Sequence, residues 1–291
     1  MKTTRTGGFG IGFRRGPVEW QKNLAKLAAW AKEEDFACLD LGGDADKTAP
    51  EVLATGLKIG SVDLPLWQGL ISPDAATRQQ AVAKATSYIE TCHGVAGPLN
   101  YFVVMLPEKP ELKRAENFDF MVESYAALAP ALEKTGSKIV IEGWPGPGAL
   151  CCTPETIRAI FQKVPSTAMG LNFDPSHLIR MGIDPIRFLH EFAPRVHHIH
   201  GKDTEIFPES TYEYGTEQAP AFAPSHRFGA AHWRYALPGH GEGRWVEYFR
   251  ILEKVGYKGF VSIELEDENF CGPEQSEKVA LIASRDFLAS C

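Results

Sequence analysis

Residues 195–205 read RVHHIHGKDTE, an apolar strand-like run that carries three histidines in four positions and stops at a Lys-Asp pair. Side chains along an extended chain alternate between faces, so His198 and His200 share one face while His197 lies on the other. The histidines are therefore either core residues of a buried strand or one corner of a site at the strand's end. The choice depends on what the rest of the chain brings beside them.

Working outward, seven further runs of strand length recur: FGIGFR from Phe9, FACLDLG from Phe36, LKIGSVDLP from Leu57, YFVVMLP from Tyr101, KIVIEGWP from Lys138, MGLNFDPSH from Met169 and GFVSIELED from Gly259. Amphipathic patterns between them predict helices over 18–33, 73–93, 117–135, 153–164, 184–192, 245–255 and 274–288, several opened by Thr, Asp or Asn at the N-cap position. Only the second crossover lacks a clear helical signature. Parallel strands need crossover connections, and eight βα units without a compositional break predict a closed (β/α)8 TIM barrel; a doubly wound open sheet is the alternative. The 291 residues suit one such domain, since barrels commonly run to about 250 residues. The stretch 204–237, rich in Pro, Gly and aromatics, reads as a long loop after the seventh strand, over the C-terminal face.

The composition, 44% hydrophobic and 23% charged, is ordinary for a globular chain, and no run of 18 apolar residues occurs. The N-terminal segment MKTTRTGGFGIGF has no continuous apolar core before a cleavage site, which makes the cytoplasm the expected location. A net charge of −7 without a Lys/Arg cluster argues against nucleic acid and membrane partners and for a small-molecule substrate, and leaves a homo-oligomer open. The six cysteines show no C-x-x-C spacing, and Cys151-Cys152 reads as a pair of small apolar residues at a helix start.

Four strands in succession end on a metal-ligating side chain: Glu142, Asp174, His200 and Glu264. Alternation pairs Val140 with Glu142, Asn172 with Asp174, His198 with His200 and Ser262 with Glu264 on the inward face. A lone acid near a strand end is ordinarily a solvated loop residue. Three acids and an imidazole converging from consecutive strands would leave the acids to repel one another or force protonation unless a cation neutralised them. Oxygen-rich ligation with one imidazole suits Mn2+ or Mg2+, with Co2+, Fe2+ or Zn2+ able to compete. His197 reads as structural and His198 as a core or supporting residue.

NFDPSH, HIHGKD and the closing PGHGEGRWVEYFRILEKVGYKGFVSIELED resemble the xylose isomerase-like TIM-barrel superfamily, in particular its sugar phosphate isomerase/epimerase branch. The resemblance covers essentially the whole chain. It implies that Glu142, Asp174, His200 and Glu264 bind one divalent metal, often Mn2+, that Glu142 and Glu264 are also acid and base, and that His177 belongs to the active site. Two positions depart from the ketohexose epimerases of that branch: Gly148 and Ile206 stand where a second carboxylate and an arginine are found. These departures point away from a free ketohexose. The long loop offers Tyr212, Tyr214, His226, Arg227, His232, Trp233, Arg234 and His240, of which His240 in the PGHGEG turn is read as a substrate contact.

The expected chemistry is proton abstraction next to a carbonyl, with the metal stabilising the enediolate. Return of the proton gives epimerisation or isomerisation of a sugar, and expulsion of a β leaving group gives a dehydratase or lyase acting on a keto-inositol or 3-keto-glycoside. Lys202, two residues after His200, would hold or protonate a substrate oxygen, or else pair with Asp203 or Glu205 at the barrel rim. A non-catalytic barrel scaffold and an apurinic endonuclease-like protein are the remaining readings; the acidic balance and single-metal quartet weigh against the latter.

Overall fold

The computed structural model describes residues 1–65 and 67–291. In chain order its main elements are β1 (Gly10–Arg14), α1 (Leu24–Glu33), β2 (Cys38–Leu41), α2 (Ala45–Ala54), β3 (Lys58–Asp63), α3 (Ala75–Ala96), β4 (Asn100–Val104), α4 (Arg114–Thr135), β5 (Lys138–Glu142), α5 (Pro154–Lys163), β6 (Met169–Phe173), α6 (Pro175–Arg180) and α7 (Pro185–Phe192). They continue through β7 (Val196–Gly201), β8 (Asp203–Ile206), α8 (Pro208–Tyr214), β9 (Trp233–Ala236), α9 (Trp245–Lys254), β10 (Phe260–Ile263) and α10 (Glu274–Ser290). Among the described residues, β1 to β7 and β10 close into a parallel barrel in the order β1-β10-β7-β6-β5-β4-β3-β2, and β8 pairs with β9 in a separate sheet. Each of the eight apolar runs is a barrel strand. No described helix is long and apolar enough to cross a membrane.

The helices follow local rules. The pattern over 18–33 breaks into a short 3-10 turn at Glu19–Gln21 and α1, because the Asn23 side chain accepts the Lys26 N–H at 3.1 Å and restarts the helix there. The weak second crossover does hold a helix, α2. It buries Ala45, Ala49 and Val52, a small apolar stripe at spacings of four and three, despite Pro50 within it. Asp74, Asp174 and Asp184 cap α3, α6 and α7 through their carboxylates. At the other end, Gly136 terminates α4 with φ of 68°, a left-handed conformation in which a Cβ is unfavourable.

Two compact units compose the chain: Met1–Cys38, Asp174–Ala193 and His200–Cys291 in one, Leu39–Phe173 and Pro194–Ile199 in the other. In the first, β1 pairs in parallel with β10 from Gly10↔Phe260 to Phe13↔Ile263. Phe13 packs edge-on against Trp30 and Phe36 with centroids 5.7 and 4.9 Å away. Burying one such side chain contributes about 1.5–3 kcal/mol. A Cβ at Gly12 would collide with the Cys38 carbonyl and thiol, so glycine is required where β1 passes Cys38. In the second unit, β4, β5 and β6 pair in register, bringing Glu142 opposite Asn172, and Ile139 and Ile141 are fully buried.

The stretch 204–237 departs from the expected continuous loop. Asp203–Ile206 pairs antiparallel with Trp233–Ala236, so its two ends form a hairpin, and only the middle, including α8, projects into solvent. Tyr212 and Phe222 are 88% and 102% exposed there. Pairing between four-residue strands 26 residues apart leaves no periodicity to read. Cys151 and Cys152 are buried free thiols, in keeping with a packing role, and burial pushes the Cys151 thiol up.

His197 fits its structural reading. Its ring lies over Gly170, where a Cβ would strike it. Burial, then the charges of Lys138 and Arg195, push its pKa from 6.5 to about 4. The ring is neutral in the fold and takes up a proton when the chain unfolds, so its contribution is complete above pH 6.5 and is lost as the pH falls to about 4. The urea midpoint of the wild type is expected to drop across this window, and that of His197→Gln to drop less steeply; parallel profiles would contradict the assignment.

Candidate metal centre

Glu142, Asp174, His200 and Glu264 each offer one ligand atom, and these atoms all lie within 4.8 Å of one another. The barrel register explains the grouping, since Glu142 ends β5, His200 is the last residue but one of β7, and Asp174 and Glu264 stand one position beyond β6 and β10. Asn172 donates to Glu142 Oε2 at 3.0 Å and so orients that carboxylate. Asp174 has two duties. Its Oδ1 caps α6 by accepting the Ser176 N–H at 2.9 Å and the Ser176 hydroxyl at 2.6 Å. Its Oδ2, although buried, accepts no hydrogen bond from the described residues and faces His177 Nε2 at 3.4 Å, Lys202 Nζ at 3.3 Å and His200 Nδ1 at 4.0 Å.

The second glutamate is held by basic side chains. Lys202 Nζ lies 2.5 Å from Glu264 Oε2, His200 Nδ1 lies 3.4 Å from the same oxygen, and Arg14 Nε lies 3.3 Å from Glu264 Oε1. Burial by itself would raise this carboxyl, but the charges of Lys202, His200 and Arg14 outweigh it and hold Glu264 well below the usual carboxylate range. The group is an anion at neutral pH, the state required of a metal ligand and of a proton acceptor.

Lys202 is 1% exposed and reaches Glu264, Asp174 and also Glu266, at 2.9 Å. Its ammonium lies 4.4 Å above the Tyr235 ring. At the rim, Asp203 accepts from Thr204 N, Gly239 N, Gly243 N and Trp245 Nε1, and Glu205 pairs with Arg234. In the sequence Lys202-Asp203, one side chain serves the carboxylate cluster and the next pins the scaffold. His177 is buried against Asp174, with Nδ1 2.7 Å from the Tyr235 hydroxyl.

The structure leaves His240 exposed on a turn whose backbone caps Asp203. Of the other loop residues, His226 is tied to Glu268 at 2.7 Å, and Arg234 to Glu205 and Asp267. Sequence reasoning missed Arg14, Tyr235 and Glu266. Arg14 ends β1 as Glu142 ends β5, which was a usable signal; Tyr235 reaches the cluster only through the hairpin. Asp40 and His198, bonded at 2.8 Å and fully buried, are polar partners in the barrel interior, as expected for a supporting histidine.

A closed parallel barrel with three acids and a histidine gathered at its strand ends defines a (β/α)8 protein with a candidate mononuclear metal centre. The chain belongs to the xylose isomerase-like TIM barrel family, whose sequence profile matches residues 18–291. Among curated proteins it is similar to the uncharacterized protein YfiH of Bacillus subtilis (33% identity over 175 residues, 58% of this chain and 54% of YfiH). It is also similar to the inosose dehydratase of Clostridium botulinum (30% identity over 158 residues, 52% of this chain and 50% of the relative). The chain thus spans about half the length of the curated relatives it matches. Among solved structures, the D-psicose 3-epimerase of Clostridium cellulolyticum superposes with a TM-score of 0.71 at 15% identity, covering 97% of this chain and 100% of that one. The 3-keto-D-glucoside 4-epimerase YcjR of E. coli does so with 0.68 at 15%, covering 96% and 99%. These two show a shared fold.

The donor set fits a divalent cation: the Asp174 oxygen without a hydrogen bond and an ionised Glu264 are ligand atoms in waiting. Calorimetry is expected to find one Mn2+ per chain, with Asp174→Asn weakening it by at least about tenfold. Unchanged affinity in that variant would contradict the assignment.

Proposed function

We propose that the protein is a divalent-metal-dependent enzyme that takes a proton from the carbon beside a carbonyl of a sugar or cyclitol and returns it, giving an epimer or isomer. The observation that carries this reading is the pair of carboxylates, Glu142 and Glu264, sharing one small cluster while Glu264 is kept ionised. A cation held by Glu142, Asp174, His200 and Glu264, with Mn2+ first among the candidates, would polarise the substrate carbonyl and offset the charge that develops on its oxygen.

The chain's own residues supply the proton transfers. One glutamate accepts the proton while the C–H electron pair moves toward the carbonyl. The other returns a proton to the opposite face of the same carbon for epimerisation, or to the neighbouring carbon for isomerisation. Asn172 steadies Glu142, and Arg14 and Lys202 keep Glu264 from taking up a proton before the substrate arrives. In this reading His177, held by Tyr235, and Lys202 meet the substrate oxygens.

Lys202 favours a second reading. An ammonium 2.5 Å from the candidate base can donate a proton to a hydroxyl β to the abstracted proton, releasing water and leaving a double bond. That outcome is dehydration of a keto-inositol or keto-glycoside, and inosose dehydratases stand among the relatives.

Proton exchange in D2O, followed by NMR with ketohexoses, keto-inositols and 3-keto-glycosides, tests both readings. Deuterium is expected at the carbon beside the carbonyl of one class, with the rate reduced roughly 10²–10⁴-fold in Glu264→Gln. A rearranged sugar marks the first reading and an unsaturated product the second. Metal-loaded protein that exchanges nothing across the panel would overturn both.

A further inference from the structure

We propose that Lys202 is a resident counter-cation of this centre: in the metal-free protein its ammonium neutralises the ligand carboxylates, and metal binding displaces it onto Glu266. The inference rests on the metal-centre reading above. Its basis is that the ammonium uses the same atoms a metal would take. Nζ lies 2.5 Å from Glu264 Oε2 and 3.3 Å from Asp174 Oδ2, both in the ligand quartet, and 2.9 Å from Glu266 Oε2, which is outside it.

Two cations cannot hold the same carboxylate oxygens at these distances. Like charges a few ångströms apart in a buried site repel strongly, and the divalent ion has the greater claim on them. The ammonium must then shift by a small distance, toward Glu266. The Glu266 side chain is 37% exposed, against 0% for Asp174 and 16% for Glu264, so it is the most hydrated of the three and the one with no ligand duty. The four-carbon stem of lysine allows the movement, and the Tyr235 ring, 4.4 Å away, supports the ammonium from the side. Lys202 thereby keeps the carboxylates from repelling one another before metal arrives, at some cost to metal affinity. Once displaced, its N–H groups are released from Asp174 and Glu264 toward the substrate.

A double-mutant cycle on the full chain tests the proposal, read as Mn2+ affinity by calorimetry and as the thermal midpoint of chelator-treated protein. Lys202→Met, which keeps the length and removes the charge, is expected to bind Mn2+ at least tenfold more tightly and to melt earlier when metal-free. Glu266→Gln removes the ammonium's destination and is expected to bind several-fold more weakly. Because Glu266 acts through Lys202, that penalty is expected to vanish in the Lys202→Met background, whereas a simple through-space charge effect would persist there. Unchanged or weaker binding in Lys202→Met, or a Glu266→Gln penalty that survives in the double variant, would overturn the proposal. Should Lys202→Met not fold without metal, Glu266→Gln decides alone, and unchanged affinity in it counts against. Failure of the wild type to bind any Mn2+ would instead bring down the metal-centre reading.

Discussion

The structure turns on an electrostatic constraint, three carboxylates and one ammonium in a space that excludes most water. Asp174, Glu264 and Glu266 surround Lys202 Nζ at 3.3, 2.5 and 2.9 Å. Burial by itself would raise the Glu264 carboxyl, and the charges of Lys202, His200 and Arg14 outweigh it. Arg14 and Lys202 supply part of that charge. A divalent cation would supply more and in the right place, and for that reason the cluster reads as a centre built to exchange one form of neutralisation for another.

The scaffold makes this constraint tolerable because each charged group is anchored by a part of the fold that cannot move freely. Asp174 shows the logic at its clearest. One oxygen is committed to the first turn of α6 through Ser176, and that commitment aims the other into the cluster. Asp203, the next residue after Lys202, does similar work. Burial raises its carboxyl, while Trp245 and the backbone N–H groups of Thr204, Gly239 and Gly243 restrain that rise and tie the hairpin to the start of α9. Tyr235, carried on that hairpin, closes the arrangement by holding His177.

Much of this was legible in the chain because it depends on local periodicity. Runs such as KIVIEG and VHHIHG announce buried strands, and period-two alternation assigns Glu142 and His200 to one face without any knowledge of their neighbours. What escaped depends on pairing or on chain beyond a strand's end. Tyr235 enters the site because four residues of β9 pair with β8 across the intervening insertion, a contact that four-residue strands do not signal. Glu266 lies beyond the end of β10, where alternation no longer dictates direction. His240 is exposed on a turn in which the N–H groups of Gly239 and Gly243 serve Asp203, a role for those glycines that their spacing does not announce.

The central claim is that the four strand-end residues form one cation site. The most direct measurement is the anomalous diffraction of crystals grown with Mn2+. A single strong peak bounded by Glu142, Asp174, His200 and Glu264 is expected, with the Lys202 ammonium moved toward Glu266. A peak held by other residues, or none at saturating Mn2+ with Lys202 still on Asp174 and Glu264, would contradict it.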